Sequence, residues 1–152
     1  MNKVVLDSCV FSKIFIKEAD SHQANTLIEH IIKNNIKIIV PSLFVYEVLA
    51  TVTIANYPVN DVYEILIDFQ NTKLQLIEMN KTYVEKILEI CSTGHIKSGF
   101  PSFYDACYHA LAMIHDCYFI TADKRHFSKT HQLGNIVLLS DWQAVTMNYA
   151  VR

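Results

Sequence analysis

Apolar residues fall along this chain in two rhythms. Short runs, nearly all apolar and rich in β-branched side chains, occur at 3–7 (KVVLD), 36–40 (IKIIV), 117–121 (CYFIT) and 135–139 (NIVLL), with a weaker run at 74–77 (LQLI). Runs without polar alternation suit strands covered on both faces, which is the habit of a parallel sheet. Between them, apolar positions recur at helical spacing over roughly 9–17, 20–34, 42–56, 59–71, 80–94 and 102–115, with a short helical segment near 124–131. Ser21, Ser42, Asn60, Asn80 and Ser102 stand where these helices begin, and each can accept a hydrogen bond from an exposed backbone N–H. Strand and helix alternating at this interval predict right-handed βαβ units. The expected fold is α/β: a three-layer α/β/α sandwich around a central, mostly parallel sheet. Ligands of such sheets sit at the carboxyl ends of the strands.

Composition narrows the picture. Of the 152 residues 51% are hydrophobic and 18% charged, which supplies a well-filled core and argues against disorder. A chain of this size buries roughly 68–70% of its unfolded surface, so one domain spanning 1–152 is expected. There is no repeat, low-complexity tract or linker, and no apolar run approaches a membrane span. The opening MNKVVLDSCVF meets Asp7 before a secretory core can form, so a cytoplasmic protein is expected. Cys9, Cys91, Cys107 and Cys117 form no CxxC pair and read as reduced, mostly buried thiols. A net charge of −2 does not suggest a general nucleic-acid coat, although the basic run Lys124 to His131 (KRHFSKTH) leaves room for a local positive patch.

Most of the 15 acids have the neighbours of a wet surface, as Glu18 does beside Lys17 and Asp20, and Glu85 beside Lys86. Four do not. Asp7 ends the first strand and Asp123 a later one. Glu47 is the only charged residue between Pro41 and Tyr57, and its neighbours at helical spacing are Leu43, Phe44, Ala50 and Thr51. Asp105 is the only charged side chain from Gly99 to His115 and sits in the first turn of its helix. All four are expected at the same rim of the sheet. Carboxylates gathered there would raise one another's pKa unless a positive charge joined them. Oxygen-only ligands select a hard divalent ion, Mg²⁺ or Mn²⁺, whose chemistry at such a site is phosphodiester hydrolysis by acidifying water and steadying the leaving oxygen.

The segments VVLDSCVF, PSLFVYEV, SFYDACYHALA and YFITADKRHF, in that order, resemble the PIN-domain ribonucleases, and most closely the VapC-type toxins of bacterial toxin–antitoxin pairs. The likeness extends from the first strand to NIVLLSDWQ. Each motif is short, and it is their order and spacing that make the likeness specific. The resemblance implies a PIN-like fold and a Mg²⁺- or Mn²⁺-dependent endoribonuclease acting on single-stranded RNA. It implies a likeness in assembly too, with a homodimer held inactive by a small cognate antitoxin. It carries the catalytic, metal-binding set onto Asp7, Glu47, Asp105 and Asp123, with Ser8 and Thr121 orienting carboxylates or metal waters behind them. Cys9 stands where the family often has Asn or Ser, and Arg125 and His126 follow where an acid is sometimes found. Lys124 and Arg125 become candidates for contact with the RNA backbone. Tyr104 and Phe127 are able to stack on bases, though core positions are the expectation for both.

Other chemistries fit less well. Cys107, His109, His115 and Cys117 carry zinc-binding groups, but the two histidines are six residues apart and share no helix face; buried thiols and ordinary helix histidines are expected instead. LDSCV lacks the second acid of an aspartyl-phosphate phosphatase, and three scattered glycines cannot form a phosphate-cradling loop. The rival from a different class is a PIN-like module without useful nuclease activity that binds nucleic acid or acts as a scaffold.

Overall fold

A computed structural model describes residues 2–147. The five strands β1 (Lys3–Leu6), β2 (Lys37–Pro41), β3 (Leu74–Ile77), β4 (Phe119–Thr121) and β5 (Ile136–Leu138) form one sheet in the order β3-β2-β1-β4-β5. Every pairing is parallel, with Val4 opposite Ile38 and Leu6 opposite Ile120. The strands are apolar on both sides because both sides are covered, and Val4, Val5, Leu6, Ile38, Val40, Phe119 and Ile120 are all buried.

Eight α-helices are present among the described residues: α1 (Ser8–Ser12), α2 (Ser21–Lys33), α3 (Leu43–Ile54), α4 (Val59–Thr72), α5 (Lys81–Cys91), α6 (Phe103–Ile114), α7 (Lys124–Thr130) and α8 (Trp142–Met147). From β1 the chain winds outward to β2 and β3, then returns across the sheet to β4 and β5. With right-handed crossovers this reversal puts the helices before β3 on one face and those joining β3, β4 and β5 on the other. The switch point lies between β1 and β4, where the carboxyl ends of neighbouring strands open a crevice. On the second face α6 packs across β1, β2 and β4. It is tied to α5 by the buried hydroxyl of Tyr83, which donates to the carbonyl of Cys107 at 2.7 Å. On the other face Phe11 of α1 meets Phe44 of α3 and Phe69 of α4 edge to face.

Local chemistry sets the helix ends. Asn80 and Ser102 cap α5 and α6 as expected, accepting from the N–H groups of Tyr83 and Asp105. The other three expected caps act differently. Ser21 ties down the preceding turn, accepting from Glu18 N–H and donating to the Ile16 carbonyl. Ser42 donates to Glu78. At α4 the cap position belongs to Pro58, whose ring presets φ at −61°, so Asn60 lies inside the helix. Three helices end with Asn35, Asn56 and Asp116 at φ near +50°, a left-handed turn that Asn and Asp tolerate better than most residues. The first helix is shorter than the expected 9–17, giving way after Ser12 to tight turns in which Ile14 and Phe15 donate to carbonyls three residues back. The fifth stops at Cys91 rather than 94, and Gly94 beyond it is pressed against Phe100: a Cβ there would lie 2.4 Å from the Phe100 Cα. The last helix, α8, was not expected, and its Trp142 is buried on the core.

Candidate active site at the carboxyl edge of the sheet

Asp7 follows β1 directly and caps α1, with one carboxylate oxygen accepting from Cys9 N–H at 3.0 Å. The other accepts from the Thr121 hydroxyl at 2.5 Å, and Thr121 in turn accepts from the N–H of Asp123 at 2.9 Å. One buried hydroxyl at the end of β4 thus joins both acids across the switch point. Asp123 caps α7, taking the N–H groups of Arg125 and His126 on Oδ1. Glu47 sits one turn into α3, and its Oε2 accepts from Ser8 at 2.8 Å and from the Tyr108 hydroxyl. Asp105 rests against its own helix start, where Ser102 donates to Oδ2 at 2.7 Å.

The four acids therefore reach one edge of the sheet, from β1, α3, α6 and β4. Ser8 serves Glu47, while Thr121 bridges Asp7 and Asp123. Tyr108, which the sequence presents as one more apolar-helix aromatic, contributes its hydroxyl to Glu47. Nothing in one dimension distinguishes it from Tyr83, whose hydroxyl serves a carbonyl.

Asp7 is only 6% exposed. Burial raises its pKa to about 6 against the pull of its hydrogen bonds, and the Asp105 charge adds to the rise. Burial also raises Asp105, with Asp123 contributing and Lys129 opposing. Among the described residues no Lys or Arg forms an ion pair with any of the four. Glu47 Oε1, Asp105 Oδ1 and Asp123 Oδ2 receive no hydrogen bond from the described residues. Hard oxygen donors with idle lone pairs, and no ion-paired Lys or Arg among the described residues, have the donor chemistry that suits a divalent ion. As the side chains stand, no group of three or more His, Cys, Asp or Glu among the described residues is arranged to hold one.

A family model for the PIN domain matches residues 4–132. The chain belongs to the PIN-domain family. Solved structures agree in fold. A toxin–antitoxin complex from Klebsiella pneumoniae superposes with a TM-score of 0.65 at 12% identity, covering 90% of this chain and 97% of that one. VapBC2 from Rickettsia felis, bound to a DNA fragment from its promoter, gives 0.63 at 16% identity over 90% and 96%. FitAcB from Neisseria gonorrhoeae gives 0.65 at 16% over 91% and 98%. No curated protein matches. PIN domains are generally nucleases and typically use divalent metal ions.

Other residues singled out by sequence take varied places. Lys124 and Arg125 are exposed in the first turn of this PIN domain's α7, free to face solvent beside Asp123. Phe127 is half-buried and stacks on His131 with centroids 5.3 Å apart. Tyr104 does not join the core: it is 65% exposed. The thiols of Cys107 and Cys117 are buried, as expected, and burial raises both pKa values. His109 is no ordinary helix histidine. Its Nε2 lies 2.7 Å from the Gly134 carbonyl, which can only accept, so the proton is on Nε2 and Nδ1 is left to accept from His126 Nε2 at 3.4 Å. His126 Nδ1 is then a buried lone pair without a partner. Burial lowers both imidazoles to about 4, so the pair is neutral at pH 7. No helix among the described residues is long and apolar enough to cross a membrane.

Proposed function

We propose that this PIN domain is a metal-dependent endoribonuclease, the toxin of a type II toxin–antitoxin pair, acting in the cytoplasm as a homodimer under control of a small cognate antitoxin. The observation that carries the reading is Asp7, a carboxylate buried at the switch point beside three other acids, with no Lys or Arg among the described residues ion-paired to it. Family membership supports nuclease chemistry, and the likeness to toxin–antitoxin structures supports the regulatory setting.

In this reading Asp7, Glu47, Asp105 and Asp123 hold Mg²⁺ or Mn²⁺. A bound ion supplies Lewis-acid polarisation of the phosphate and acidifies water at neutral pH. The protein supplies position. Thr121 fixes Asp7 relative to Asp123, and Ser8 with Tyr108 fixes one oxygen of Glu47 and leaves the other for the ion. Burial around Asp7 keeps water sparse, which strengthens every charge interaction there. Lys124 and Arg125, exposed next to Asp123, meet RNA phosphates flanking the cleavage point.

Purified protein should cleave single-stranded RNA with Mg²⁺ or Mn²⁺ and stop when EDTA is added. Asp7→Asn and Asp123→Asn should each lower the rate at least ~100-fold, the usual worth of electrostatic groups at a reacting centre. Cleavage that survives the chelator and both substitutions would overturn the assignment. A small antitoxin encoded in a neighbouring reading frame should silence the activity on co-expression, and the absence of such a frame or its failure to silence would remove the antitoxin from the reading.

A further inference from the structure

The helix that delivers Asp105 also carries aromatic rings to the surface. Tyr104 is 65% exposed, Phe103 40% and Phe100, in the loop before it, 53%. Phe103 and Tyr104 stand edge to face with centroids 6.4 Å apart. Single exposed apolar residues need no explanation, but three in five positions, contiguous with an acidic centre, make a patch of the kind that marks a binding surface. Tyr104 lies one turn before Tyr108, on the same face of α6, and Tyr108 reaches Glu47. Helical side chains lean toward the N-terminus, so the Tyr104 ring stands at the outer lip of the acid cluster, next to Asp105.

The loop before α6 is built to hold its part of this patch. His95 and Gly99 exchange two backbone hydrogen bonds, Gly99 takes φ +80°, and Gly94 lets the Phe100 backbone close in. Across from it, Lys129 of α7 donates to the Phe100 carbonyl at 3.1 Å, and its charge acts on Asp105. A small polar hollow of about 220 Å³ opens there, lined by Lys129, His95, Ser98 and Ser128 among others. Lys97 is exposed on the loop tip. Flat π-faces interleaved with cations, beside a phosphodiesterase centre, match the chemistry of a single-stranded nucleic acid, whose bases stack while its phosphates seek ammonium groups. A purely apolar protein partner would leave these cations unanswered.

We propose that Phe103 and Tyr104 form a ledge on which a base flanking the scissile bond of single-stranded RNA stacks, with Lys129 holding an adjacent phosphate at the hollow. The proposal rests on the ribonuclease reading for its substrate, yet the ledge can be tested apart from catalysis. A single-stranded RNA oligonucleotide carrying 2-aminopurine is titrated with the full chain in EDTA, where no cleavage competes, and stacking is read as fluorescence quenching. Tyr104→Ala should weaken binding at least ~5-fold and lose the quenching, in line with the worth of one base–aromatic stack. Tyr104→Trp should keep both, Tyr104→Leu should behave like the alanine variant, and Lys129→Gln should weaken binding while retaining quenching. Unchanged thermal melting guards against a folding effect, since Tyr104 is largely outside the core.

With metal present, Tyr104→Ala should raise KM and leave kcat near the wild-type value. Wild-type binding by Tyr104→Ala overturns the ledge, as does full recovery by Tyr104→Leu, which would point to a protein-docking surface. If wild type cleaves RNA and Tyr104→Ala does so equally well, the ledge falls and the ribonuclease reading stands. If wild type binds RNA through Tyr104 but does not cleave it with Mg²⁺, with Mn²⁺ or without metal, the ribonuclease reading falls and the ledge stands. Absence of any RNA binding by wild type overturns the ledge.

Discussion

Asp7 and Lys13 flank the same short helix, α1, as its N-cap and C-cap, and they are almost equally hidden at 6% and 8% exposure. Lys13 is clasped. Its ammonium contacts Glu18 and lies 2.8 Å from Asp20, and although burial works against the charge, those two acids hold its pKa above the ordinary value. Asp7 has hydroxyl and amide donors but no cation, and its pKa moves in the direction that disfavours the charge. The fold thus satisfies a buried charge where the need is structural and leaves one unsatisfied at the switch point. Natural proteins tolerate such a cost mainly where function requires it.

The comparison can be broken first at Asp7. Its folded pKa of about 6 lies above the ordinary aspartate value of 3.8, so its contribution to stability is fully present below pH 3.8 and is lost as pH rises through 6, amounting to about 3 kcal/mol at most. In EDTA, Asp7→Asn should therefore be more stable than wild type at pH 7–8, by up to that amount, and the two should converge near pH 4 in urea titrations. Adding Mg²⁺ or Mn²⁺ should raise the melting temperature of wild type and not of the variant. Equal stability at both pH values would mean that Asp7 is not strained.

His109 and His126 sharpen it from the opposite side, because they solve burial by staying neutral. Their folded pKa values of about 4 lie below the ordinary histidine value of 6.5, so stability is whole above pH 6.5 and is lost as pH falls through 4. His126→Leu should flatten this acid limb by about 2–3 kcal/mol, since a leucine has no proton to take up. An unchanged acid limb would show that the pair is already protonated in the fold.

Lys13→Met should have the smallest effect, a loss of about 1–2 kcal/mol nearly flat between pH 5 and 8. Glu18 and Asp20 reach solvent and are not stranded when the ammonium goes. A loss well above 3 kcal/mol would mean that the two acids depend on Lys13 more than their exposure implies.

Much of this was legible in one dimension. The run KVVLD gave its strand and delivered Asp7, and YFITAD did the same for Asp123, because period and chain order dictate which end of a parallel strand a trailing acid occupies. Ser102 was readable as a cap because capping is a local bond between residues three apart. Ser21 and Ser42 stand at helix starts as expected, but make no capping bond, because the partners that draw them away, Ile16 and Glu78, are fixed only when loops and strands settle. Lys13 carried no signal, since nothing near it in sequence says that a cation in SKIFIK will be folded under.

By itself the sequence determined the strand and helix order, the burial of the apolar runs and the presence of four acids at strand ends and in early helix turns. Those depend on periodicity and on the chemistry of neighbouring residues. Only the tertiary structure decided that β1 and β4 lie side by side, so that Thr121 reaches Asp7 across 114 residues, that Tyr108 serves Glu47, and that Tyr104 faces outward. Adjacency across a sheet and the direction of an aromatic ring are set by which surfaces pack together, and that competition is resolved by the whole chain at once.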